Sequence, residues 1–383
     1  MTTLARTSVA ARRKVPVFDI VLVVATLTLS VVGVVMVYTA TRGSLSAAGE
    51  DPRTFLKKQG LFVVLGCITM VVFAVLDYRR LEPVTTVVYW LIVLALFGVY
   101  AVGHSAQGAA RWFNVGPLQV QPSEFAVLAL ILSVASYCAR REEDGLAWRD
   151  VIRLLIMAGL PIVLVLIQPD LGTAMIMLVV LLVMLAVAGL PIRILVMLLI
   201  GTALVVLIAV KGGFLHHYQV ARLTTFLNPN NKSNNPFVQS AIYNLTEAKN
   251  AIGSGGLFGA GIGHGAQTNL GYVPEQQTDF IFTAVAEQLG FVGAVGVLFL
   301  LGVIAWRVLR AALVARDIFG RLIGAGLFAF IAFSAFQNAG MTMGIMPITG
   351  IPLPFVSYGG TAVIVFFCAV GLALSIGLRR RYR

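Results

Sequence analysis

Carboxylates are scarce in this chain: Asp and Glu number 16 among 383 residues, and charged residues of both signs make up 11%. Three of the acids, Glu275, Asp279 and Glu287, stand in one run, VPEQQTDFIFTAVAEQLG, in which an apolar helix pattern begins at Phe280. Two acids at the mouth of a lipid-embedded helix and a third about 12 Å along it, at ~1.5 Å rise per residue, are costly enough to need a reason. Neighbouring carboxylates push each other's pKa apart. One kept ionised at a dry rim can act as a general base toward a hydroxyl, and the other can orient it or bind a cation. Asp279 equally suits an acidic N-cap, stabilised by the positive end of the helix dipole. Glu287 has its own structural reading, a buried acid paired with a basic side chain of a neighbouring helix.

Groups able to hold phosphate come next. Arg111, before Trp112, and Arg222, in RLTTFLNP, carry guanidinium forks that match phosphate oxygens; snorkelling to lipid headgroups is the plain alternative. Lys249 is a further candidate cation. It precedes seven glycines between Gly253 and Gly265, which never take the spacing of a nucleotide-binding turn and leave loop packing and ligand approach both open. The segment Met346 to Gly360 holds three prolines and three glycines and cannot be a continuous helix. Irregular backbone near membrane depth is tolerated where it packs in protein or lines a wet cavity. That segment, with Ser357 as a substrate-binding candidate, is expected to wall the cavity that Asp279 faces. His104, His216, His217 and His264 show no metal spacing.

These residues need elements to place them. At 59% hydrophobic, the chain is far more apolar than a soluble domain. It reads as an all-α polytopic membrane protein, one transmembrane domain over 1–383 with about ten helices. The expected spans begin near Phe18, Gly60, Val84, Ser123, Val151, Leu171, Pro191, Asp279, Ile318 and Thr361. Glu124 falls in the first turn of the fourth span and Asp170 between the fifth and sixth; with Glu287 they are structural intramembrane acids. About nineteen of the 28 Lys and Arg lie in the N-terminal arm (1–16), the even-numbered turns and the tail, and about nine lie opposite. Both termini are therefore expected in the cytoplasm, with the large loop between helices seven and eight (211–278) and Asp279 outside. An external site has no ATP and must use an activated substrate delivered through the membrane. The net charge of +12 belongs to loops beside the spans, which argues against nucleic acid. The first span is expected to be retained, not removed as a signal peptide, and Cys67, Cys138 and Cys368 sit in apolar runs without pairing.

Taken in order, GAARWFNVGPLQVQPSEF, QPDLGTA, RLTTFLNP, AIGSGGLFGAGIG, VPEQQTDFIFTAVAEQLGFVG and GIMPITGIPLPFVSYGG resemble the SEDS family (shape, elongation, division and sporulation), the RodA/FtsW group, over nearly the whole chain. With no lysine at Ile348 or Thr349, the chain looks more like the RodA side. The resemblance implies an inner-membrane peptidoglycan glycosyltransferase that polymerises lipid II during elongation and cell-shape maintenance. It implies Asp279 as the essential catalytic residue, with Glu275 in the same pocket. Arg111, Arg222, Lys249, or a divalent cation (Mg or Mn) at Glu275 and Asp279, would neutralise the undecaprenyl diphosphate leaving group. The implied partners are a class B penicillin-binding protein and other membrane proteins of the elongation complex. Relatives often carry lysine where Val127 stands, so Glu124 lacks that ion pair here. They often carry His at Gln277 and Glu at Gln288, which argues against catalytic roles for these two. The competing expectation is a lipid II flippase using the same cavity and Glu287.

Overall fold

Apolar sequence over most of the chain leaves helices as the only way to satisfy the backbone in lipid. The computed structural model describes residues 18–379 except 103, 107–108, 116–117, 142–145, 214–216 and 229–232. The basic arm (1–16), His216 and the terminal arginines after Arg379 lie outside the described residues. In chain order the elements are α1 (Ile20–Ala47), α2 (Thr54–Val75), a 3-10 turn (Tyr78–Val84), α3 (Thr85–Val102), β1 (His104–Ala106), β2 (Ala109–Val115), β3 (Leu118–Val120), α4 (Pro122–Ala139), α5 (Trp148–Ile167), α6 (Leu171–Val187), α7 (Ile192–Lys211), α8 (His217–Leu227), α9 (Pro236–Ser254), α10 (Ala266–Asn269), α11 (Ile281–Leu313), α12 (Ile318–Met343) and α13 (Gly360–Leu378).

Eight of these stretches are long and apolar enough to cross a membrane, and Leu171–Val187 and Ile192–Val205 are apolar over shorter lengths. The burial pattern is that of a polytopic protein. α4, α12 and α13 are buried nearly all round, with Phe330 stacked on Phe366 at 4.7 Å between ring centres. The peripheral helices turn Val75, Leu94, Ile156 and Ile192 outward, as lipid-facing surfaces do.

Among the described residues most ion pairs lie at one end of the bundle, with Lys57–Asp51 at the other. Asp19 takes Arg307 on both carboxylate oxygens (2.9 and 2.7 Å), Asp317 takes Arg79 at 2.8 Å, and Asp77 takes Arg379 at 3.4 Å. The opposite end carries the β-strands, α8 to α10, the start of α11 and the chain between α12 and α13. Two sequence expectations change here. The stretch 104–120, expected as a loop, forms a three-stranded antiparallel sheet in the order β1-β2-β3; alternation this short is hidden among glycines. The stretch 211–278, expected as a long loop, is mostly helical. Along α9, Val238, Ala241, Leu245, Ala248 and Ala251 recur at helical spacing and are buried, so α9 lies on the body as an amphipathic helix.

Candidate active site

Asp279 lies in a turn, not in a helix. α11 begins at Ile281, and its N-cap is Phe280, whose side chain makes no capping bond. The N-cap role that the sequence left open for Asp279 is therefore not the one it plays. Nor does the helix extend back to place Glu275 on the same face: Glu275 has φ 49°, and its carbonyl accepts from the amides of Thr278 (3.2 Å) and Asp279 (3.1 Å). A non-glycine residue in the left-handed region persists only where its surroundings hold it there.

Those surroundings are the irregular segment between α12 and α13. Three successive carbonyls of the turn are fastened to it and to α12. The amide of Tyr358 donates to Gln277 O (2.8 Å), Ser357 Oγ donates to Thr278 O (2.6 Å), and Asn338 Nδ2 donates to Asp279 O (2.8 Å). With its backbone held, the half-buried Asp279 side chain is directed at Gly350. A Cβ at Gly350 would lie 3.1 Å from Asp279 Oδ2 and 3.9 Å from Arg222 Nη1, so the carboxylate and the guanidinium converge over a residue with no side chain, itself at φ +77°. Burial pushes the Asp279 carboxyl above the ordinary carboxylate range, the Arg222 charge pulls it back, and Glu275 pushes it up again.

Arg222 is tied to Arg111 through Tyr218, one turn earlier on α8. The Arg222 guanidinium sits over the Tyr218 ring at 5.5 Å. The Tyr218 hydroxyl donates to Pro169 O (2.7 Å) and accepts from Arg111 Nη2 (3.3 Å). Arg111 also donates to Gln168 O (2.9 Å) and Pro169 O (2.7 Å), which anchors β2 to the junction of α5 and α6. Two fixed cations and a carboxyl of raised pKa thus share one rim: an anion-holding and proton-accepting arrangement.

The other singled-out residues have different surroundings. Ser357, expected to bind substrate, has its hydroxyl engaged, accepting from Leu353 N (2.8 Å) while donating to Thr278 O; it shapes the site without facing it. Lys249 lies with its ammonium against Gly344, the left-handed cap of α12, where a Cβ would be 2.8 Å from Nζ, and no described contact joins it to the two arginines. Glu287 pairs not with a basic side chain but with backbone. Its carboxylate accepts from Gln267 N (2.8 Å), Thr268 N (3.0 Å) and Thr268 Oγ1 (2.6 Å). Asp170 caps α6 through Thr173 and accepts from Gln121 and Ser123, with Glu124 buried nearby.

The glycine run resolves as packing. α11 is broken at Gly290 (φ 68°, ψ −169°), and the loop completes its hydrogen bonds. Ala260 N and Gly261 N donate to the carbonyls of Glu287 (2.9 Å) and Gln288 (3.1 Å), while Phe291 N and Val292 N donate to Gly256 O (2.9 Å) and Leu257 O (3.2 Å). A Cβ at Gly259 would fall 2.2 Å from Gln288 O.

This chain matches, over residues 20–382, the family model of FtsW, RodA and SpoVE, described as "Cell cycle protein". It belongs to that family. It is 37% identical over 346 residues to the peptidoglycan glycosyltransferase MrdB of Escherichia coli (strain K12), covering 88% of this chain and 89% of MrdB. Among solved structures it is similar to a chain of a peptidoglycan synthase complex that coordinates polymerization and crosslinking (TM-score 0.77, 30% identity, 94% of this chain and 97% of that one). It is also similar to the rod shape determining protein RodA of Thermus thermophilus (TM-score 0.70, 29% identity, 96% and 98%). As a member of the FtsW, RodA and SpoVE family with eight span-length helices among the described residues, the chain is a multi-pass protein of the cytoplasmic membrane. Within this SEDS protein, Tyr218 and Asn338 are the site residues that the sequence reading missed, whereas Gly350 belongs to the segment Met346 to Gly360 that was expected to wall the cavity facing Asp279. Asn338 sits inside an apolar helical run and Tyr218 beside two histidines. A polar amide in an apolar helix was the one available signal for Asn338.

Proposed function

We propose that this protein is a peptidoglycan glycosyltransferase that polymerises lipid II on the outer face of the cytoplasmic membrane, on the elongation side of its family. The observation that carries the reading is the convergence of the Asp279 carboxylate and the Arg222 guanidinium over Gly350. Family membership, the name of MrdB and the name of the RodA neighbour support it.

In this mechanism Asp279 is the general base. It takes the proton from the 4-hydroxyl of the acceptor's N-acetylglucosamine while that oxygen attacks the anomeric carbon of the lipid-linked donor chain. The bond from that carbon to the diphosphate breaks, undecaprenyl diphosphate leaves with the electron pair, and the configuration inverts. The leaving group is already activated, so no protein nucleophile is required. Its charge is met by Arg222 and Arg111, which Tyr218 holds in a fixed relation. Glu275 and Asp279 supply two carboxylates, a donor number that suits Mg or Mn when substrate phosphates and water complete the shell. Such an ion would add positive charge beside the diphosphate. Among the described residues no third His, Cys, Asp or Glu joins them.

A transport reading would require Glu287 to exchange a proton within the membrane, and the three hydrogen bonds on its carboxylate argue against that. The similarity to a chain of a synthase complex supports a partner that crosslinks the new glycan, a class B penicillin-binding protein; further membrane proteins of an elongation complex belong to the same reading. The test is glycan synthesis from purified lipid II. Asp279→Asn is expected to abolish polymer while the protein stays folded, and substantial residual polymerisation would exclude the base role.

A further inference from the structure

Asp279 reaches its place through the backbone, and of the three bonds that fasten its turn to the opposite wall and α12, the one on Asp279's own carbonyl comes from a side chain. Asn338, on α12, is fully buried. Its Nδ2 donates to two carbonyls at once, Asp279 O at 2.8 Å and Ile351 O at 2.7 Å. Ile351 follows Gly350, whose bare α-carbon lies beneath Asp279 Oδ2. The two points that Asn338 ties together are thus the residue bearing the carboxylate and the neighbour of the residue the carboxylate rests on. The preceding amide reinforces the same wall: Gln337 Nε2 donates to Pro347 O (2.8 Å) and Thr349 Oγ1 (3.0 Å). Asn338 Oδ1 is buried without a hydrogen-bond partner among the described residues. An apolar side chain would avoid that cost, so the donor half of the amide is what this position needs.

We propose that Asn338 is a positioning residue for the glycosyl transfer: by stapling Asp279 O to Ile351 O it fixes the gap between the Asp279 carboxylate and the wall, and with it the reach of the base to the acceptor hydroxyl. This rests on the assignment of Asp279 as base. A base displaced by about 1 Å loses on the order of a hundredfold in rate, while substrate held by other groups binds as before. The charged groups facing Asp279 are Glu275 on its own turn, Arg222 on α8 and Arg111 on β2.

The experiment measures steady-state polymerisation of purified lipid II by the full-length protein, as wild type, Asn338→Leu, Asn338→Ser and Asp279→Asn, with melting temperatures taken alongside. Leu keeps the size and removes the donor; Ser leaves a hydroxyl too short to reach both carbonyls. Expected for both variants is a kcat lower by about tenfold or more with KM within about twofold. A wild-type kcat in either folded variant would overturn the proposal, as would a KM raised in proportion to the loss of kcat or a loss of rate that merely follows the unfolded fraction. If Asn338→Leu does not fold, Asn338→Ser decides by the same readouts; if neither folds, the staple is a folding requirement and the positioning role falls. Substantial polymerisation by Asp279→Asn would remove the base assignment itself. An inactive Asp279→Asn beside wild-type kinetics at position 338 would sink the positioning role alone.

Discussion

At Asp279, burial and function pull in opposite directions. Because burial holds its carboxyl above the ordinary range, the native protein binds this proton more tightly than the unfolded chain. The contribution to stability is present at low pH and is lost as pH rises through the native pKa. A base must be ionised, so activity gains over the window in which this stability is lost. Asp279→Asn, which removes the charge, is expected to melt no lower than wild type at neutral pH while making no polymer; a clearly lower melting temperature would mark the carboxylate as a structural group. Arg222 acts on the same equilibrium from the other side. Arg222→Ala is expected to move the acid limb of kcat to higher pH. It is also expected to raise KM for lipid II on the order of tenfold or more, since a charge-assisted contact is worth about 1.5–3 kcal/mol. Pre-steady-state and steady-state assays across pH separate the two effects.

At the scale of elements, the break in α11 is the organising feature. A continuous helix would carry the start of α11 rigidly with its membrane-spanning part; the left-handed Gly290 frees the first turns to be set by the glycine loop and Glu287 instead. Gly259→Ala, with its Cβ 2.2 Å from Gln288 O and φ at +80°, is expected to destabilise by more than about 2 kcal/mol. Gly253→Ala, with open space at its Cβ, is expected to be neutral or slightly stabilising. Thermal melts of the two variants in one detergent make the comparison, and equal melts would show that close backbone approach is not what the run requires. Glu287→Gln replaces one acceptor oxygen by a donor facing backbone amides and is expected to cost about 1–3 kcal/mol, read as a lower melting temperature.

At the scale of the molecule, the site works only if its end of the bundle faces outward. Gln239 on α9 and Arg80 after α2 are both exposed, at opposite ends. A cysteine at Gln239 is expected to react with a membrane-impermeant maleimide on intact cells, and one at Arg80 only after permeabilisation. The reverse pattern would place Asp279 in the cytosol, where no acceptor glycan waits. The same orientation puts the ion pairs of Asp19, Asp77 and Asp317 on the inner face, where the excess of Lys and Arg predicts them.

What the sequence determined by itself was the class of fold and the chemistry on offer. Apolar runs of span length must be helices in lipid, and acids and guanidiniums are costly enough there that Asp279, Glu287, Arg111 and Arg222 stood out by type alone. What only the tertiary structure decided was which of these groups meet and which are engaged elsewhere. Glu287 and Ser357 turned out to hold backbone, Lys249 to lie at the cap of α12, and the glycine run to complete a broken helix. Asn338 and Tyr218 entered the site without a sequence pattern to announce them, and which residue of the expected wall meets Asp279, Gly350, was also left to the fold. The reason is physical: residue type and local spacing fix what a side chain is able to do, whereas hydrogen bonds between residues dozens of positions apart, such as Asn338 to Asp279 and Ser357 to Thr278, exist only once the chain has closed on itself.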